Sequence, residues 1–257
     1  MTSWPSHPCR RGVVAAVVLC GAMFSGRLTA QETDFLFVLG AGNVGTWVTE
    51  FTVSNRGSEE VTVVVSTAPK EICPPLATCF SSVILPPGGT STVGSPNAGV
   101  AGVYVGYLDR PGWPAVVARA RTVSGGAKSI DLPVFRVRSL MELDPHVLVF
   151  AGAQRDEGGR SNLILANVAD PDRIGDEVVS LRLETLDQDG IVAGERSITL
   201  SYGESLFIGD AVGFMGIAEL PLGQIRVTKT GGDGTLWGIL TILRPDGTSS
   251  VSLGLAP

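Results

Sequence analysis

Two stretches of this chain, "TEFTVSN" (Thr49 to Asn55) and "SNLILAN" (Ser161 to Asn167), alternate apolar positions and end on asparagine, and each opens a series of segments that recurs in order. "VTVVVSTAP" from Val61 is matched by "VVSLRLETL" from Val178, and "ILPPGGTSTVGS" (Ile84 to Ser95) by "TLSYGESLFIGD" (Thr199 to Asp210). "ARTVSGGAKSIDLPV" (Ala120 to Val134) is matched by "TILRPDGTSSVSLGL" (Thr241 to Leu255), and the offset stays between 112 and 121 residues. A fixed period with small drifts is the mark of an internal duplication. Each unit is a run of four to eight residues rich in Val, Ile, Thr and Leu, bounded by Gly, Pro, Asp and Asn. That pattern predicts an all-β chain of two tandem antiparallel β-sandwich domains. The boundaries fall at 33–136 for the first domain, 137–145 ("VRSLMELDP") for a short stiff linker, and 146–257 for the second. Helical periodicity is confined to "SLMEL" (Ser139 to Leu143) and "GDAVGFMG" (Gly209 to Gly216).

The duplication begins only after residue 30, and what precedes it reads as a signal peptide, residues 1–30. Arg10 and Arg11 form a basic start, Gly12 to Phe24 an apolar run, and Ala30 supplies the small residue at the cut. The run of about 13 residues is shorter than the ~20 needed to span a bilayer, so no stable membrane span is expected. A lipid-modified Cys20 is the alternative, against which Leu19 occupies a place that wants a small residue. The expected localisation is secreted, periplasmic or cell-surface. Three of the 19 Lys and Arg lie in this segment, leaving 16 against 25 Asp and Glu, a net charge of −9. An acidic chain with no basic stripe argues against a nucleic-acid partner held by counterion release.

Removing the segment leaves Cys73 and Cys79 as the only cysteines, within "KEICPPLATCF". In an oxidising compartment this pair predicts a disulfide. The corresponding "DQDGIVAGER" has no cysteine, so the staple is expected to pin a surface loop rather than hold the fold. That loop, with Pro74 and Pro75, is a candidate partner contact. Trp113, in "DRPGWPA", is the second candidate, as an aromatic at a loop tip suited to a sugar ring or a protein partner.

Other motifs carry less. "GAGNVG" (Gly40 to Gly45) fits a dinucleotide fingerprint, but "TWVTEFTVSN" follows it as a strand and not a helix, so a hairpin loop is expected and no organic cofactor. His146 is the one histidine after residue 30, and no G-x-S-x-G elbow surrounds any serine. Calcium is the remaining cofactor candidate. Asp187, Asp189 and Glu195 are its possible ligands, though Asp-Gly is equally what a tight hairpin prefers.

An apolar first strand, a Gly-rich turn, a strand ending in Asn, then "VTVVV" and the turns "LPPGGTS" and "LSYGES" resemble the tandem immunoglobulin-like or fibronectin-III-like sandwiches of secreted bacterial proteins. The resemblance implies a scaffold or binding role and transfers no functional residue; the Cys–Trp–Cys spacing of antibody domains is missing. The expected function is therefore a non-enzymatic structural, adhesion or binding protein that meets a protein or glycan at the cell surface through loops at the sandwich ends. The alternatives are a secreted hydrolase or calcium-dependent module using the carboxylates of the second domain, and a carbohydrate-binding module.

Overall fold

The computed structural model describes residues 35–67, 80–108, 110, 112–122, 128–170, 177–244 and 249–254. Residues 1–30, expected to be a signal peptide, and the Cys73–Cys79 stretch with Pro74 and Pro75 lie outside the described residues. The chain is all-β, in antiparallel sheets.

The first half contributes β1 (Leu36–Gly42), β2 (Trp47–Ser54), β3 (Val61–Ser66), β4 (Phe80–Leu85), β5 (Thr90–Gly94), β6 (Val100–Tyr107), β7 (Ala115–Thr122), β8 (Ser129–Leu132) and β9 (Val134–Arg136). Helix α1 (Val137–Leu143) leads to β10 (Val147–Arg155), β11 (Arg160–Val168), β12 (Val179–Leu186), β13 (Val192–Leu200) and β14 (Ser205–Ile208). The one-turn helix α2 (Ala211–Phe214), β15 (Leu220–Gly231), β16 (Thr235–Leu243) and β17 (Ser249–Leu253) complete the chain. Both helices fall where the sequence allowed them. "GAGNVG" is the end of β1 and a turn, closed by a bridge between Val44 and Trp47.

In the first half the strands pair in the orders β4-β3-β6-β1-β9 and β5-β2-β7-β8. In the second, β13-β12-β15-β10 and β14-β11-β16-β17 form, joined through the β10–β11 hairpin, where Arg155 faces Arg160. Apart from β9, each strand of the first half has its counterpart nine strands later, in the same pairing. The order departs from the immunoglobulin arrangement, in which the first strand lies beside the second and the seventh beside the sixth. Here β1 lies beside β6, and β7 beside β2. The run "LFVL" explains why β1 is covered on both faces: Leu36 and Val38 are buried on one, Phe37 and Leu39 on the other. A strand apolar on both faces is stable only where both are covered.

Three apolar clusters result. One holds the two sheets of the first half together through Val38, Phe51, Val63, Val105 and Leu132. A second does the same for the other half through Phe150, Leu163, Leu181, Val227 and Leu240. The third joins the halves: Phe37, Leu39 and Tyr104 pack with Ile164, Ala166, Trp237 and Ile239, and Val137 and Leu140 of α1 belong to it. Phe37 stands 5.0 Å from Tyr104, and Phe135 meets Trp237 edge-on at 5.0 Å. Polar contacts also cross the junction. The Gly102 N–H donates to Ser205 Oγ at 2.9 Å, and the Ala169 N–H to the Tyr104 hydroxyl oxygen at 2.9 Å. The connector is thus a packed helix, tied to the second half where Lys229 Nζ meets both Asp144 oxygens at 3.0 Å.

Candidate functional site: a groove at the junction

Most of the outer face of β11 and β16 is covered by β1 and β6, but the cover stops short of the β11 start. There a groove of about 230 Å³ opens between the halves. Gly40, Thr49, Ala120, Ile130 and Leu132 line its first-half side; Arg160, Asn162, Ile164, Ile239 and Thr241 line the other. Gly40 makes the close approach possible. Its φ is +87°, and a Cβ there would stand 2.9 Å from Ile239 Cδ1 and 3.1 Å from Ile164 Cδ1. Thr49 seals one wall, its hydroxyl accepting from Gly42 N–H at 2.9 Å and donating to Gly42 O at 3.0 Å.

Strand register grades the groove from polar to apolar. Arg160 pairs with Leu243, Asn162 with Thr241 and Ile164 with Ile239, all on one face of the sheet because side chains alternate. At about 3.3 Å per residue, Arg160 to Ile164 spans roughly 13 Å. Arg160 is exposed, Asn162 is 6 % exposed, and Ile164 and Ile239 are buried. Asn162 Oδ1 accepts from the Asp210 N–H at 3.1 Å, which leaves its amide N–H₂ without a partner among the described residues. The Arg160 guanidinium likewise has no ion pair or hydrogen bond among them. The neighbouring Arg155 differs: its Nε lies 2.9 Å from Asp210 and it also donates to Ile217 and Ala218 carbonyls.

The sequence candidates lie elsewhere. Trp113 is half-buried against the first-half core, with the Arg136 guanidinium 3.9 Å over its ring. Asp187 closes the β12–β13 turn: its Oδ1 accepts from the N–H groups of Asp189 and Ile191, both at 2.9 Å. Glu195 is exposed on β13, in register with Glu184. Among the described residues no group of three or more His, Cys, Asp or Glu side chains stands together to hold a metal ion, and these three carboxylates do not converge. His146 is exposed at the entry to β10. A polar recess of about 280 Å³ lies near Asp144, Glu177, Tyr202 and Asp233.

Arg160, Asn162 and Thr241 were not among the sequence candidates. Their signal is in the repeat itself. Thr49–Asn55 on Ser161–Asn167 puts Glu50 over Asn162 and Thr52 over Ile164. In the first half that face is ionic and open, with Glu50 binding Arg121 at 2.7 Å and Arg119 binding Asp131 at 2.7 Å. In the second half Asn162 takes the place of Glu50, Arg160 stands exposed at the edge of the face, and the remainder, from Ile164 and Ile239 onward, lies against the other half.

Comparison with protein-family models, curated proteins and solved structures finds no match. Among the described residues no helix is long and apolar enough to cross a membrane.

Proposed function

We propose that this is a secreted, non-catalytic binding protein made of two sandwich domains of duplicated origin, docked so that their junction forms the recognition site. The observation that carries the reading is the junction groove, an apolar recess built by residues of both halves. Elsewhere at the junction, the facing side chains of β1, β6, β11 and β16 pack against each other. Recognition by a fixed recess costs little ordering on binding, which is the advantage of rigidly docked domains over tethered ones. Loops at the sandwich ends would then serve as secondary contacts, and a Cys73–Cys79 disulfide would stiffen one of them. Resemblance to immunoglobulin-like proteins supports the layered architecture, while the strand order limits how far it extends.

The test is binding of an environment-sensitive apolar dye to the exported protein and to Thr241→Trp, which places an indole in the groove. Saturable one-site binding, lost in the variant with circular dichroism unchanged, is expected. Equal binding by both proteins would remove the groove as the site. N-terminal sequencing of the exported chain should begin at Gln31.

A further inference from the structure

From this reading of the groove as a binding site, we infer that its ligand is an amphiphile with an anionic head, such as a medium-chain carboxylate. Its tail lies at the Ile164–Ile239 end of the groove, against the accessible Phe207 and Val100 of the lining, and its head faces Asn162 and Arg160. The order of the wall carries the argument. The inner end is apolar from both sides, Ile164 and Ile239 meeting Gly40 and Leu132. One strand step outward stand two polar side chains directly opposite each other, Asn162 and Thr241, and a further step outward stands Arg160.

The donors select the head. The Asn162 amide oxygen holds the Asp210 N–H, which orients the amide and leaves its N–H₂ as the group of this nine-tenths-buried side chain with no protein partner among the described residues. Arg160 offers only N–H as well, in a planar fork that matches a carboxylate. Neither Arg160 nor the Asn162 N–H₂ is sealed from water in the open groove, so a bound head must replace their hydration; an acceptor does that, and a negative one also gains the guanidinium charge. A cationic head would meet like charge, and a purely apolar ligand would bury the Asn162 N–H₂ unpaired. The net charge of −9 after residue 30, Arg160 included, gives a free anion no general reason to approach, so binding here would be local in origin. Size limits the tail. Some 230 Å³ holds about eight groups the size of a water or methylene.

The experiment is isothermal titration of the full exported chain with octanoate, octan-1-ol and octylamine, repeated on Arg160→Ala and Thr241→Trp. Arg160 is exposed and its replacement leaves packing intact. Octanoate is expected to bind wild type most tightly, to weaken about tenfold in Arg160→Ala, and to be lost in Thr241→Trp. Octan-1-ol affinity should be unchanged by Arg160→Ala. If octanol matches octanoate and Arg160→Ala affects neither, the anionic head is wrong while the groove stands. If no ligand binds in a way that Thr241→Trp abolishes, the groove reading falls with it.

Discussion

Asn55 and Asn167 occupy equivalent places in the two halves and do the same work with one atom. Each is buried and donates through Nδ2 across the sheet end: Asn55 to Glu59 O and Leu85 O at 2.7 and 3.2 Å, Asn167 to Glu177 O and Leu200 O at 2.9 and 3.3 Å. They differ in the other atom. Asn55 Oδ1 accepts from Gly57 N–H and Arg110, whereas Asn167 Oδ1 is buried without a partner. The donor equivalent to Gly57 N–H is Ala169 N–H, and it is given instead to Tyr104 across the junction. Docking the halves thus took a hydrogen bond from the second half's own turn. Burial also raises the Tyr104 hydroxyl pKa far above that of an exposed phenol. Tyr104→Phe leaves the Ala169 N–H unpaired or returns it to Asn167. The expected loss is about 1–3 kcal/mol in urea unfolding, toward the lower end if Asn167 recovers its donor. No loss at all would mean that the contact contributes nothing to docking.

Among the strands, side-chain pattern separates those that face solvent from those that face the other half. β2 alternates, with Thr49, Phe51 and Val53 buried and Thr52 exposed. β1, β6, β11 and β16 carry apolar runs that alternation cannot place, and each sends one set of side chains into its own core and the other into the shared cluster. On β12 and β15 a polar pair sits on the outer face instead: Arg226 Nε lies 2.8 Å from Glu184 Oε2. The hydrogen bond from Arg226 outweighs burial and holds the Glu184 carboxyl below its ordinary pKa of 4.5, with the Arg226 and Arg182 charges adding to it. A depressed folded-state pKa stabilises the fold above the ordinary value, and that contribution disappears as pH falls through the folded one. Glu184→Gln should therefore cost about 1 kcal/mol at pH 7, discounted because Arg226 is partly open to water, with the gap closing in unfolding curves taken below pH 4. A gap independent of pH would assign the cost to packing. The β12–β13 turn supplies another check: Asp187→Ala should lower stability by about 1 kcal/mol equally with and without calcium, since its oxygen already serves two backbone donors. The repeat, the strands and both short helices were legible because alternation and turn residues are local signals. The position of β1 beside β6 was not, since "FLFVL" says that both faces are covered and not by what. The groove escaped for the same reason: Asn162 is unremarkable until Glu50, its counterpart, is seen to face water.

For the whole molecule, the third apolar cluster decides how the halves behave. Residues 33–257 pack as one unit, and Tyr104, Leu140 and Ile239 belong to a cluster built by side chains of both halves and of α1. Two halves with separate cores but a common apolar face of this kind should melt together, because opening either exposes the face of the other. Calorimetry of the intact chain is expected to show one transition. The sharper measurement is Ile239→Ala, which removes buried methyl groups from the shared cluster at a cost of about 2–5 kcal/mol. Amide exchange would then be followed in β3, which lies wholly in the first half's sheet, and in β12, which lies wholly in the second's. Coupled halves require protection to fall by the same amount in both strands, though neither contains the substitution. A fall confined to β12 would show two domains that merely touch. The recess between them would then open and close with the junction, and a ligand filling it should raise protection in both strands at once.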